Sequence, residues 1–248
     1  MNPKATVRMQ SAQRHELFDT NGFLIITQAV SMEDCDSLGA ELTSLFDRNK
    51  NVSRRKIGGV RNILRQSQKA ADIASSDKFI SLLNGLTGRR YFPVKAIFFD
   101  KNPGSNWSVP WHQDLAIAVT RQIESPGFGP WSVKEGIVHV QPPQHILGNM
   151  ITLRLHLDDC PAGNGALRII QGSHLHGELD SDAITKWATH DAPVVCELSK
   201  GDALLMKPLL LHSSPQATNP NHRRILHIEY ASDELPDGLE WFDRPKIS

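Results

Sequence analysis

The chain has 248 residues, with 27 Lys plus Arg against 27 Asp plus Glu and a formal net charge of zero. That length buries a core without disulfide or metal staples, and the charge balance argues against general attraction to nucleic acid or anionic lipid. The cysteines Cys35, Cys160 and Cys196 are scattered, odd in number and form no CxxC pair, which fits a reducing, cytoplasmic setting; Met1 to Arg14 has no apolar h-region and no apolar run reaches bilayer length, so neither a secretory signal nor a membrane span is expected.

The first 90 residues read as mainly helical. A short helix is expected over 11–20, then a strand over Gly22-Phe-Leu-Ile-Ile26. Ser31-Met-Glu-Asp34 resembles a capping box, with Asp in the usual Glu position, and Leu38, Leu42, Leu45 and Phe46 follow at helical spacing. The basic run Arg54, Arg55, Lys56, with Arg61 and Arg65 beyond it, reads as a solvated or anion-facing segment. A further helix fits 77–86 and stops near Gly88.

Past residue 90 the texture becomes short β-prone runs at 94–100, 149–157, 166–170, 193–198, 202–206 and 224–230. Turn signals separate them, including Asn102-Pro-Gly104, Gly201-Asp202 and Asn219-Pro-Asn221. Such a series predicts a β-sandwich or jelly roll with the early helices covering one face, and the absence of βαβ alternation argues against a Rossmann or TIM architecture. Residues 119–148 are rich in proline and glycine with little periodicity. They are expected to form a long loop, a lid or wall over the site.

The chemistry is carried by histidines and carboxylates. Two His-x-Asp pairs occur, His112-Gln-Asp114 and His156-Leu-Asp158. On a strand, residues i and i+2 share one face, so either pair offers an imidazole and a carboxylate to one metal ion. His212 ends the apolar run Leu209-Leu-Leu211 and opens a polar turn, which suits a third ligand from another strand. Two imidazoles and one carboxylate leave three metal positions open for a bidentate co-substrate and O₂, the pattern of non-haem Fe(II) oxygenases. His156 and Asp158 share parity with Thr152 and Arg154 and oppose Ile151, Leu153, Leu155 and Leu157. The preferred reading of that second pair is an amphipathic strand whose polar side faces a cavity.

An ordered set of motifs then resembles the phytanoyl-CoA dioxygenase family. It runs from Phe18-x-x-x-Gly22-Phe23 through Lys101-Asn-Pro-Gly104, Trp111-His-Gln-Asp114, Asn164-Gly-Ala-Leu-Arg168 and Gln171-Gly-Ser-His174 to Gly201-Asp202, His212-Ser-Ser214 and Arg223-Arg224. Gln171 stands where the family usually has Pro, and Ser213 where it often has Gly. The resemblance implies one domain over 1–248, mainly β with flanking helices. It would be a double-stranded β-helix, a cupin-like jelly roll, with the helical third packed on a core that starts near residue 90. It implies Fe(II) on His112, Asp114 and His212, with 2-oxoglutarate and O₂ as co-substrates. The distal carboxylate of 2-oxoglutarate falls to Arg223, with Arg224 as the fallback, and to Ser214; Thr152 matches a polar position behind the co-substrate. A guanidinium fork suits that planar anion.

The implied reaction hydroxylates an unactivated C–H bond of a small organic molecule while 2-oxoglutarate becomes succinate and CO₂. Asp114 favours hydroxylation over halogenation, because halogenating relatives replace that carboxylate with a small residue. Family substrates range over acyl-CoA thioesters, amino-acid-like solutes and natural products, and zero net charge gives no support to a CoA ester. Trp131, Lys134, His139 and Arg154 are the expected substrate contacts. His174, in its Gly-Ser-His turn, reads as structural. Two rivals are a metal hydrolase, which has no use for Arg223 and Ser214, and a non-catalytic jelly-roll binding protein, which has no need of an intact triad.

Overall fold

The structure, a computed structural model, describes residues 11–49 and 59–244. The basic residues Arg54, Arg55 and Lys56 and most of the N-terminal segment read above lie outside the described residues. Helices α1 (Ser11–Asn21), α2 (Met32–Asn49), α3 (Ile63–Gln66), α4 (Gln68–Ala74) and α5 (Asp77–Thr87) precede most of the sheet; α6 (Gln144–Gly148) and α7 (Ser181–His190) interrupt it. The strands are β1 (Phe23–Ile26), β2 (Gly59–Arg61), β3 (Phe92–Lys101), β4 (Val109–His112), β5 (Ile117–Val119), β6 (Trp131–Lys134) and β7 (Ile137–Val140). They continue as β8 (Ile151–His156), β9 (Leu167–Ile169), β10 (Val194–Cys196), β11 (Ala203–Met206), β12 (His212–Ser214) and β13 (Arg223–Ala231).

Local sequence explains the early elements. Ser31 caps α2: its hydroxyl accepts from the Asp34 amide at 3.1 Å and donates to the Asp34 carboxylate at 2.7 Å. Asp34, too short to reach back to the Ser31 amide, thus closes the box through the hydroxyl. Ser76 caps α5, and Gly88 ends it in the left-handed conformation.

The large sheet has strand order β1-β11-β8-β13-β3-β2, the small one β10-β9-β12-β4, all antiparallel. Alternation assigns the two faces of the large sheet. Leu153, Leu155, Leu205, Leu226, Ile228 and Phe98 join a core with Phe18, Leu38, Leu42, Phe79 and Leu83 of the helices. On the opposite face, Phe23, Ile25, Leu204 and Met206 pack against Leu167, Ile169 and Cys196 of the small sheet. Two facing antiparallel sheets, one backed by helices, make the double-stranded β-helix expected from the sequence.

The stretch 119–148 is not a loop. It contains the end of β5, all of β6 and β7, and α6; the three strands pair in the order β5-β7-β6. This third sheet buries Ile117, Val119 and Val140 against Met150, Leu239 and Trp241. Its pairing partner is non-local, so periodicity within the segment carried little sign of it.

Candidate metal and co-substrate site

A cavity of about 460 Å³ opens between the two main sheets. His112 ends β4, His212 begins β12, and the two residues are cross-strand partners. Pairing slips at a bulge between His212 and Ser214, which re-aims the strand after the histidine. Asp114 follows β4, with its backbone amide donating to the Pro208 carbonyl at 2.9 Å.

The three side chains converge. Nε2 of His112 lies 3.8 Å from Asp114 Oδ1, and Nε2 of His212 lies 3.8 Å from Asp114 Oδ2. One donor atom from each falls within 4.8 Å of the others. Each imidazole carries its proton on the far side: Nδ1–H of His112 donates to the Pro110 carbonyl at 2.9 Å, and Nδ1–H of His212 to the Leu210 carbonyl at 2.8 Å. Both Nε2 atoms are therefore aimed at one point, with ring orientation set by the backbone. Burial lowers the His212 pKa to about 4, against the pull of Asp114, so the ring is a neutral donor at pH 7. Burial pushes the Asp114 carboxyl up, but His212, His227, His112 and Lys95 outweigh it and hold the group well below the usual carboxylate range. Asp114 Oδ2 is buried with no hydrogen-bond partner among the described residues. The neutral His212 imidazole, the Nε2 of His112 beside it and an unsatisfied carboxylate oxygen fit a divalent iron.

Gln113 explains how the pair is held. Its side chain points away from the two ligands and is buried. Nε2 donates to the carbonyls of Gly177 (2.8 Å) and Leu209 (2.6 Å), and Oε1 accepts from the Leu179 amide at 2.8 Å.

Arg223 and Ser214 line the same cavity. The buried Arg223 guanidinium donates through Nη1 to the Gly165 carbonyl and to Ser214 Oγ at 3.2 Å. Its Nε has no hydrogen-bond partner, and no carboxylate pairs with it among the described residues. Ser214 Oγ in turn donates to the Gly165 carbonyl and accepts from buried Lys101, each at 3.1 Å. Gly165 has a φ of +71°, and a Cβ there would sit 2.8 Å from the Pro215 carbonyl. Arg224 faces the other way and holds Asp158 with a forked pair at 2.8 and 2.6 Å. Asp158 is thereby engaged, and buried His156 lies outside the cavity wall; the second His-x-Asp pair does not form a site.

Of the expected substrate contacts, Lys134, His139 and Arg154 line the cavity. His139 donates from Nδ1 to the Ile137 carbonyl at 3.0 Å, leaving Nε2 free. Trp131 instead packs on the apolar cluster around Val140 and Trp241 and does not line the cavity; on a strand it has odd parity relative to Lys134. Thr152 is buried without a hydroxyl partner and also lies outside the cavity wall. His174 is structural, as read: its ring bonds the Asp19 carbonyl at 3.0 Å and lies against Gly22.

Sequence reasoning passed over a polar row across three strands. Arg154 Nη1 donates to His227 Nδ1 at 2.9 Å, His227 Nε2 lies 3.5 Å from Glu229, and Glu229 pairs with Lys95 at 2.6 Å. The available signal was parity: His227 and Glu229 share the Arg223 face of β13, and Lys95 interrupts an apolar strand.

A jelly roll with two imidazoles and a carboxylate converging in its mouth, beside a carboxylate-free arginine, defines the Fe/2-oxoglutarate-dependent enzymes. The family model for phytanoyl-CoA dioxygenase matches residues 18–225, and the chain belongs to that family. It is 21% identical to the peroxisomal phytanoyl-CoA dioxygenase of Rattus norvegicus over 90% of this chain and 69% of the relative. Among solved structures, AviO1 from Streptomyces viridochromogenes Tue57 is 22% identical with a TM-score of 0.68, covering 94% of this chain and 99% of that one. EctD from S. alaskensis, solved with 2-oxoglutarate and 5-hydroxyectoine, is 16% identical with a TM-score of 0.69, covering 94% and 81%. The epimerase SnoN, solved with Fe3+, alpha ketoglutarate and nogalamycin RO, is 15% identical with a TM-score of 0.67, covering 92% and 91%. Membership of that family makes the protein an enzyme of the Fe/2-oxoglutarate-dependent oxygenase superfamily, and its His112, Asp114 and His212 are grouped as a metal site requires. No helix among the described residues is long and apolar enough to cross a membrane.

Proposed function

We propose that this enzyme hydroxylates an unactivated C–H bond of a small organic molecule, with His112, Asp114 and His212 as the iron ligands. The carrying observation is the aim of two Nε2 atoms at one carboxylate in the cavity that also holds a carboxylate-free arginine. When bound, iron with 2-oxoglutarate supplies oxidising power from O₂, and the protein supplies orientation and exclusion of water. Arg223 and Ser214 hold the distal carboxylate of 2-oxoglutarate: both line the cavity, and Arg223 has no carboxylate partner among the described residues. Arg224 is spent on Asp158. Retention of Asp114 favours hydroxylation over halogenation, since the carboxylate fills the position an added halide would need.

Anaerobic titration with Fe(II) and then 2-oxoglutarate tests the reading. A visible charge-transfer band and metal-dependent succinate formation under O₂ are expected. Metal binding without a 2-oxoglutarate response would favour a hydrolase; no metal binding at all would favour a binding protein. Product mass distinguishes hydroxylation, a gain of one oxygen, from the isomeric product of an epimerase and the loss of hydrogen in a ring closure.

A further inference from the structure

Arg154 is 7% exposed and lies on the cavity wall, yet no carboxylate pairs with it among the described residues. Its one hydrogen bond goes from Nη1 to the neutral acceptor His227 Nδ1, at 2.9 Å. Its Nε is buried without a partner, and the guanidinium carbon lies 6.0 Å from the centroid of the Phe99 ring. A buried charge left this way is costly unless a ligand completes it.

The other charges in the cavity are accounted for. Lys95 pairs with Glu229 and Arg61 with Glu135. On the reading above, the charges of Fe(II), Asp114, the 2-oxoglutarate dianion and Arg223 cancel. Lys101 lies outside the cavity wall, bound to Ser214 and the Pro215 carbonyl. Two wall cations remain without a carboxylate among the described residues, Arg154 on β8 and Lys134 on β6. Lys134 stands in the field of Lys95 and Arg61, which discourages any further cation there. Apolar side chains, among them Phe99, Ile97 and Leu115, make up much of the remaining wall.

We propose that the substrate oxidised here is a compact molecule with an apolar body and an anionic head, a carboxylate or a phosphomonoester, which Arg154 and Lys134 bind. This inference rests on the co-substrate assignment above. It takes the two leftover cations as the specificity-determining groups, with Arg154 as the buried fork.

The test uses intact protein with Fe(II) and 2-oxoglutarate under argon, titrated calorimetrically with matched probes. Phenylacetate is compared with phenylacetamide, and benzyl phosphate with benzyl alcohol; the arm with the larger preference identifies the head group. At least one anion should bind about tenfold or more tighter than its neutral partner. Arg154→Gln should weaken that anion by about 30-fold or more. Lys134→Gln, at an exposed position where folding is not at issue, should weaken it by about tenfold. Affinity for 2-oxoglutarate should stay within about twofold in both variants. Equal binding of acid and neutral partner, or no binding of any probe, overturns the proposal. So does an anion preference that survives both substitutions, or a loss of 2-oxoglutarate affinity in Arg154→Gln, which would assign that residue to the co-substrate. Absence of a charge-transfer band with the anion preference intact would instead sink the oxygenase reading and leave the anion site standing.

Discussion

Replacing Gln113 should damage the metal site without touching a ligand. The side chain makes three buried hydrogen bonds, to the Gly177 carbonyl, the Leu209 carbonyl and the Leu179 amide, at 2.8, 2.6 and 2.8 Å. Each such bond is worth about 1 kcal/mol net, and a buried partner left unmade costs about 1–3 kcal/mol. Gln113→Ala is therefore expected to lose about 3 kcal/mol of stability, or roughly 6–12 °C in Tm for a chain of this size. Because Gln113 stands between His112 and Asp114, the same change should loosen both ligands and weaken Fe(II) binding by about 10–100-fold, as for other groups that orient metal ligands. Gln113→Glu keeps the volume but sets a carboxylate against the Gly177 and Leu209 carbonyls. It should be at least as damaging at pH 8 and partly relieved at pH 5, where a protonated carboxyl donates again. Thermal denaturation of the metal-free protein and competitive chelator titration read the two effects separately. Wild-type Tm and wild-type iron affinity in both variants would refute the reasoning. A lowered Tm with unchanged iron affinity would show that Gln113 braces the fold but not the ligands.

Other expectations follow from the same geometry. Ala at His112, Asp114 or His212 should abolish Fe(II)-dependent succinate formation, whereas His156→Ala should leave metal binding largely intact; the reverse result in a metal assay would transfer the site to the other pair. Arg223→Ala should raise the 2-oxoglutarate requirement more than about tenfold while iron still binds, since loss of a buried charged pair costs about 2–5 kcal/mol; a co-crystal with the carboxylate on Arg154 or Arg224 would contradict it. Burial, and then the charge of Arg223, lower the Lys101 pKa from 10.5 to about 7. Between those values the unfolded chain binds the extra proton, so this group's penalty is full below pH 7 and fades as pH rises toward 10.5. Relative to Lys101→Met, wild-type Tm should therefore climb over that window, and parallel pH profiles would disprove the shift.

The sheet order explains why parts of the molecule were readable from residue types and others were not. Helices α2 and α5 were legible because caps, helical spacing and stop residues are local signals, as at Ser31 and Gly88. The β-runs near 94–100, 149–157 and 224–230 were legible because one face must meet the helices and alternation records it. Strands β4 and β12 and the pairing of β5, β7 and β6 carried no comparable signature. They are short, and their stability comes from partners distant in the chain.

The same division holds at the site. By itself the amino-acid sequence determined that a histidine and a carboxylate at i and i+2 share a face, and that Arg223 and Arg224 point in opposite directions, because both follow from strand parity. It also favoured His112-x-Asp114 over His156-x-Asp158, because the second pair lies on a strand whose alternation already accounts for it and the family resemblance places the iron on the first. Tertiary structure supplied the physical reason for that preference by bringing Arg224 against Asp158 and His212 against His112. It also laid Trp131 against an apolar cluster while leaving Lys134 on the cavity wall, and it set Arg154 beside His227 rather than a carboxylate. In each case the deciding contact joins residues far apart in the chain, so only the completed fold determines which polar groups are satisfied within the protein and which remain to bind a metal or ligand.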